Sequence, residues 1–272
     1  MTPPLNKSRI IVRGAGEMAS GAIRRLSIAG FEIIALEQPA PTCIRRTVCY
    51  AEACYEKKVT IEGVTAVLVD SAEEAIAKAS YRLVPLLIDP EGEQIAYLRP
   101  MAVIDGRMLK QKNDARYDNI PIVVGLGPGF TAGTNCQAVV ETSRGFDLGR
   151  VIYKGAAEEY TGIPAAVEGI SRDRVLESPA DGEFRAFCRI SEMAASGQTV
   201  GEVGGTAVIT RIGGVIRGLI RNGQKVSRGQ KIGDVDPRRI REYCFRMSDK
   251  ANAIGGGVLE AVLAIRLNAE KS

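Results

Sequence analysis

The sequence predicts an α/β protein in two parts: a parallel sheet covered by helices, followed by a smaller all-β module. Three observations carry this. Apolar runs of strand length alternate with helical patterns through residue 150. Two of these runs end in glycine-rich loops that lead into the next element. After residue 150 helical periodicity fades, and short strands separated by glycine turns repeat at a fixed offset.

Arg9–Val12 is a β-rich run, and Arg13-Gly-Ala-Gly-Glu-Met-Ala-Ser-Gly21 a glycine loop entering a helix over Met18–Ala29, which Gly30 stops. Phe31–Leu36 reads as the second strand, with Glu37 at its end. Gly14-x-Gly16-x-x-Ala19 therefore stands in the strand–loop–helix context of a Rossmann-like fingerprint. Gly14 permits the turn, Gly16 lets the backbone approach a phosphate, and Ala19 allows close helix–strand packing. Helix N–H groups favour an anion there, and Glu37 is placed to bond ribose hydroxyls. Arg13 and Glu17 depart from a plain loop, and Glu17 opposes a phosphate. A βαβ turn without ligand has the same signature.

Residues 39–50 read as a loop carrying Arg45 and Arg46, candidates for phosphate or carboxylate binding or a solvated charge pair. Ala51–Glu56 reads as one or two helical turns. Val59–Ile61 and Val64–Val69 flank Glu62-Gly63 as a hairpin, and Ser71-Ala-Glu-Glu74 is a capping box. Leu83–Ile88, Met101–Ile104 and Ile120–Val124 are further strands. Gly125-Leu-Gly-Pro-Gly-Phe-Thr-Ala-Gly133 follows. Gly125, Gly127, Gly129 and Gly133 with Thr131 form a candidate anion nest, or a sharp turn. A helix is expected from Asn135 through Glu141, which would put Cys136 at a helix N-terminus and favour its thiolate.

In the all-β part, Ala180–Val203 aligns without gaps on Ile212–Val235 at an offset of 32 residues. Gly182 matches Gly214, Arg185 matches Arg217, and Val200-Gly-Glu-Val203 matches Ile232-Gly-Asp-Val235. Two similar β units are expected to close one core. Each resembles half of a biotinyl/lipoyl-like barrel-sandwich module. The resemblance implies a modified lysine on the hairpin between the halves. Gly204-Gly-Thr206 stands there instead, so a structural or ligand-gripping role replaces that of a carrier. The organisation read is 1–150, a Rossmann-like phosphate- or cofactor-binding domain; 151–243, the repeat module; and 244–272, a C-terminal segment whose helix Val258–Leu267 packs back on the first domain. Asp249-Lys250 before Gly255-Gly-Gly257 reads as the edge of a polar cleft or an exposed helix cap.

Composition narrows the chemistry. With no histidine, Ser-His-Asp and Cys-His catalysis and histidine metal sites are excluded. Six cysteines form no CxxC pair, and no metal site is expected. A net charge of +4 from 36 basic and 32 acidic side chains calls for neither nucleic acid nor anionic membrane. No signal peptide or spanning run is seen, so a cytoplasmic protein with reduced thiols is expected.

Val12-Arg-Gly-Ala-Gly16, Ile44-Arg-Arg-Thr47, Gly125–Gly133, Arg144-Gly-x-x-Leu-Gly-Arg150, Ile232-Gly-Asp-Val-Asp-Pro237 and Ser248–Glu260 together resemble the YqeB-type accessory proteins of the selenium-dependent molybdenum hydroxylase system. The resemblance implies a maturation or cofactor-handling role, with a molybdenum hydroxylase subunit as partner. Molybdenum cofactor or a nucleotide is the candidate phosphate-bearing small molecule. Cys136 is then a candidate for handling sulfur or selenium. Gln137 stands where members of the family often carry histidine. A homo-oligomer is compatible with this reading. The alternatives are an NAD(P)-dependent oxidoreductase, with Lys250 or Tyr50 as proton donor, and a scaffold for hydroxylase assembly that binds nothing small.

Overall fold

The computed structural model describes residues 9–109 and 117–270. They group into two units: 9–41, 50–109, 117–160 and 247–270 in the first, 42–49 and 161–246 in the second.

The first unit is built on a nine-stranded sheet. Its strands are β1 (Arg9–Arg13), β2 (Glu32–Glu37), β3 (Lys58–Ile61), β4 (Val64–Val69), β5 (Leu83–Ile88), β6 (Ala102–Asp105), β7 (Ile122–Leu126), β9 (Ala138–Val140) and β10 (Val151–Ile152), in the order β10-β9-β7-β6-β1-β2-β5-β4-β3. The seven strands from β9 to β4 are parallel, and β10 and β3 add antiparallel edges. The short pair β8 (Thr131–Ala132) and β11 (Gly155–Ala156) stands apart. The parallel strands have apolar middles because both faces of such a sheet are covered. One face packs Ile11, Ile34, Leu36, Val69, Leu87 and Val103 with residues of α3 (Ala72–Lys78) and α4 (Ile95–Leu98). The short helix α2 (Ala53–Glu56) leads into the β3–β4 hairpin, which turns on Glu62 and Gly63, both at positive φ.

Helices α1 (Glu17–Ile28) and α5 (Asp249–Ala269) pack on each other, and α5 also contacts β7, β9 and β10. Gly30, at φ +97°, lets α1 end with Phe31 N–H bonded to the Leu26 carbonyl, so the sequence-expected C-cap is present. Ser71 accepts the Glu74 N–H, capping α3, while Glu74 reaches back to the N–H of Asp70 rather than of Ser71. The α1–α5 crossing is very close. A Cβ on Gly21 would stand 2.1 Å from the Ala251 carbonyl oxygen, and one on Gly255 2.5 Å from that of Gly21. A Cβ on Gly257 would lie 2.1 Å from the Gly149 carbonyl oxygen, whereas Gly256 faces open space. The glycine triplet is thus interior to one continuous helix, where its missing side chains admit neighbouring backbone on two sides. The helix begins at Asp249, earlier than the periodicity suggests, and Gly255–Gly257 does not edge a polar cleft.

A second correction concerns residues 135–141. They form no helix. Gln137 donates its N–H to the Val123 carbonyl, its side-chain Oε1 accepts the Val123 N–H, and β9 joins the sheet beside β7. β-Branched Val139 and Val140, fully buried, fit a central strand better than a helix.

The second unit holds two four-stranded antiparallel sheets. Its strands are β12 (Val175–Glu177), β13 (Gly182–Ala186), β14 (Met193–Ala194), β15 (Thr199–Val203), β16 (Thr206–Ile209), β17 (Gly214–Leu219), β18 (Lys225–Val226) and β19 (Lys231–Asp236). The sheets run β12-β19-β17-β14 and β16-β15-β13-β18. Phe184 faces Val203, and 32 residues on Ile216 faces Val235. The short strands are exchanged between repeats. Met193 faces Val215 and Ala194 faces Gly214, while the pairs related by the same offset, Lys225 with Glu183 and Val226 with Gly182, complete the other sheet. Phe184, Val200, Val203, Ile216, Ile232 and Val235 meet in one core.

Candidate functional site

The first unit has its topological switch point between β1 and β6, since the chain leaves β1 toward β2 on one side and returns to β6 on the other. Ligands of such sheets bind outside the carboxyl ends of the strands at that point. Register places Arg13 beside Asp105 and Asp105 beside Gly125. The two glycine loops therefore leave the same sheet edge, one strand apart.

The first loop is tightly held. Gly14, at φ +83°, donates its N–H to the Leu36 carbonyl, and Gly106 donates to that of Arg13. A Cβ on Gly14 would lie 3.2 Å from the Arg107 backbone, and one on Gly106 2.8 Å from Ala19 Cβ. That second contact explains the small residue in the third fingerprint position. Gly16 is the N-cap of α1 and has no side chain to fill the cap. The first N–H groups of any α-helix lack intrahelical partners, so this end presents donors and a positive dipole end. Glu37 accepts the Ala15 N–H at 2.7 Å and the Gln38 N–H at 2.8 Å. It thus anchors the loop. Burial raises its carboxyl above the ordinary value, opposed by those two bonds. Glu17 accepts from Ser248 Oγ at 2.8 Å, which draws its carboxylate to the N-cap of α5.

The second loop fills much of its own nest. Gly127 donates to Val140, Gly133 to Cys136, and Thr131 N–H to Asn135 Oδ1; Asn135 Nδ2 reaches the Gly129 carbonyl. The Phe130 ring lies where a Cβ on Gly125 would be, 2.1 Å away at its nearest, and is buried. Glycine at Gly125 and Gly127 is thus required by packing as well as by turn geometry. Cys136 precedes a strand rather than opening a helix, and burial pushes its thiol up to about 11. The expected thiolate activation is absent.

Sequence reasoning missed a buried polar network beneath the first loop. Arg107 grips Asp105 with a fork, Nε to Oδ1 at 2.9 Å and Nη2 to Oδ2 at 2.6 Å. The Tyr117 hydroxyl donates to Asp105 Oδ2 and accepts from Arg13 Nη1 at 3.0 Å. Arg13 Nη2 donates to the Pro90 carbonyl at 2.6 Å, and the guanidinium lies against Gly92, where a Cβ would be 3.2 Å from its Cζ. Asp105 is fully buried and Arg13 is 4% exposed. Burial, then the Asp105 charge, raises the Tyr117 phenol well above its ordinary value, keeping it a neutral donor. The available signal in sequence was Asp105-Gly-Arg107 at the end of an apolar strand.

Arg45 and Arg46 belong to the second unit. Arg45 donates to the Tyr243 and Arg246 carbonyls, and Arg46 to that of Leu219. Ile44 accepts the Leu219 N–H. The pair thus fastens residues 42–49 to β17 and the 3-10 segment Arg241–Phe245 of that unit. Nearby, Asp234 is held by Arg217 at 2.5 Å and Arg174 at 2.9 Å, and Asp236 by Arg238 at 2.6 Å and Arg217 at 3.1 Å. Tyr50, in the first unit, is buried and gives its hydroxyl to the Ile61 carbonyl. No helix among the described residues is long and apolar enough to cross a membrane.

No family model matches the chain. Among solved structures, similarity extends to the succinylglutamate desuccinylase/aspartoacylase from Rhodobacter sphaeroides, 22% identical over 24% of this chain and 22% of that one, TM-score 0.20. It extends also to the ectoine utilization protein EutE from Ruegeria pomeroyi, 12% identical over 80% and 62%, TM-score 0.24. An aspartoacylase family protein from Mesorhizobium loti is 12% identical over 85% of each chain, TM-score 0.26. Scores this low carry no inference about fold or activity. In sequence, the chain is 41% identical to the uncharacterized protein YqeB of Escherichia coli K12 over 96% of its own length, and spans 48% of that longer relative. This similarity runs through almost the whole of this chain and about half of that relative.

Proposed function

We propose that this protein is an accessory factor in the maturation of a selenium-dependent molybdenum hydroxylase. In this reading it holds a phosphate-bearing ligand, molybdenum cofactor or a nucleotide, at the crest of its parallel sheet. The observation that carries the reading is the meeting of the Gly14–Gly16 and Gly125–Gly129 loops at the carboxyl ends of β1 and β7, with Arg107 following β6 between them. Backbone donors at the start of α1 would take phosphate oxygens, and Arg107 would offset their charge. Glu37 keeps the loop in shape and leaves its outer lone pairs to hydroxyl groups.

The first unit is then Rossmann-like, and the second a barrel-sandwich of biotinyl/lipoyl type whose exchanged repeats support that likeness. Without a lysine at Gly204–Thr206 it serves grip or docking, with the hydroxylase subunit as the natural partner. The proposed setting is the cytosol. An oxidoreductase reading gains less, because the Tyr50 hydroxyl is buried and given to the Ile61 carbonyl.

Native mass spectrometry of the purified protein tests the proposal. A retained mass that is phosphate-bearing by fragmentation, and depleted in a Gly16→Asp variant that still folds, is the expected result. Turnover of a small alcohol or aldehyde with NAD(P) would overturn it.

A further inference from the structure

Among the described residues, the buried network beneath the first glycine loop carries an unequal charge. Arg13 and Arg107 contribute two positive charges, Asp105 one negative charge, and Tyr117 none. Arg107 and Asp105 are matched by their fork. Arg13 is not matched in the same way. Its hydrogen-bond partners are a phenol and a main-chain carbonyl, and its nearest ring contact is Tyr117, 5.8 Å from the guanidinium carbon to the centroid. Among the described residues no carboxylate comes within ion-pair distance of it. Buried charges are ordinarily paired, because desolvation is costly without an opposite charge. A guanidinium 4% exposed with neutral partners contrasts with Arg174, also buried, which faces Asp234.

The position of the surplus matters. Arg13 ends β1, immediately before the loop, and lies at the carboxyl end of the sheet beside Asp105. The Arg107 side chain, one quarter exposed, rises from the same cluster, and its backbone packs on Gly14. The phenol of Tyr117 joins the two halves, accepting from Arg13 and donating to Asp105, so that the Asp105 charge is shared along the chain while the described side chains keep a positive excess.

We infer that Arg13 and Arg107 form the charge-recognition layer of the crest site, selecting a ligand with at least two negative charges, of the diphosphate class, whose charge completes the network. Arg107 is the contact group, and Arg13 beneath it supplies a field that the low-dielectric surroundings leave poorly screened. The inference rests on the phosphate reading above and deepens it. It explains why an arginine occupies the position before the first glycine, which the phosphate loop itself does not require.

The test titrates inorganic pyrophosphate into the full chain, with inorganic phosphate and acetate as comparisons, by calorimetry and by thermal shift. Wild type is expected to prefer pyrophosphate to acetate by more than about ten-fold. Arg13→Gln keeps a donor for the Pro90 carbonyl and removes the charge. It is expected to melt at or above the wild-type temperature without ligand and to lose at least about ten-fold in pyrophosphate affinity. A structural role for Arg13 would instead lower the melting temperature and leave affinity in the folded protein unchanged. Tyr117→Phe is expected to keep pyrophosphate binding, since the charge count is unaltered. Wild type that binds pyrophosphate while Arg13→Gln binds it equally well overturns this inference and leaves the glycine-loop reading standing. Wild type that does not bind pyrophosphate at all overturns both.

Discussion

Asp234 and Glu202 occupy the same place in the two β repeats, 32 residues apart, and each faces the arginine of its own repeat. Their surroundings differ. Glu202 meets Arg185 at 3.4 Å with side chains 33% and 72% exposed. Asp234 is 2% exposed and accepts from both Arg217 and Arg174, the latter also buried. An exposed pair of this kind is worth about 0–1 kcal/mol. Removing one partner from a buried pair leaves an uncompensated charge and costs about 3–5 kcal/mol. Asp234→Asn, which preserves shape, is therefore expected to destabilise the protein by about 3 kcal/mol more than Glu202→Gln. Urea unfolding followed by far-ultraviolet circular dichroism measures the difference; the chain has no tryptophan to report by fluorescence. Adding Arg174→Met to Asp234→Asn should restore part of the loss, because it removes the cation that faced Asp234, whereas Arg217 keeps Asp236. Equal destabilisation by Asp234→Asn and Glu202→Gln would refute the reasoning, as would a double variant no more stable than Asp234→Asn.

Three further outcomes are expected. Gly21→Ala or Gly255→Ala should cost about 1–3 kcal/mol by forcing α1 and α5 apart, while Gly256→Ala, which meets nothing, should gain up to about 1 kcal/mol from helix propensity; melting temperatures compare them. Burial alone would raise the carboxyls of Asp234 and Asp236, but Arg217 at the first and Arg238 at the second bring both below the ordinary 3.8. Their stabilisation is therefore present above pH 3.8 and lost as pH falls through the lower folded values, so a melting series from pH 7 to 3 should decline at its acid end, with Glu37, whose shift is upward, acting in the opposite sense. Cys136, buried and with its thiol near 11, should resist iodoacetamide at pH 8 in the folded protein, and peptide mapping that finds it labelled fastest of the six cysteines would contradict the burial argument.

The parts of the fold legible in sequence are those set by local pattern. Leu83–Ile88 and Ile122–Leu126 are apolar runs of strand length, and they are central strands. The 32-residue repeat is readable because glycine turns and inward apolar residues recur together, as in Gly182 with Gly214 and Val203 with Val235. That repeat does not say which copy a short strand pairs with, so the exchange of β14 and β18 had no sequence signature. Residues 135–141 invite a helix by analogy with the first glycine loop. The competing preference of Val139 and Val140 for a pleated, buried position prevails. In α5 the glycine triplet disguises a helix, since its intrinsic cost is visible locally and the close packing it permits is not. The Arg13–Tyr117–Asp105–Arg107 network could not be read, because its members lie up to 104 residues apart in the chain and come together only through β1–β6 pairing. Arg45 and Arg46 have the composition of an anion site, but their bonds run to carbonyls of the β unit.

The exchanged short strands also bear on ancestry. A single repeat cut from the β unit would lack the strand that completes its own sheet and would carry one suited only to another copy of itself. Two free copies could restore these pairings through a two-fold axis, so the unit has, within one chain, the pairing pattern of a symmetric dimer. Fusing the copies in tandem turns a concentration-dependent association into an intramolecular one. Within one chain each half can differ without breaking the pairing, as Glu202, one third exposed, and its counterpart Asp234, buried, do.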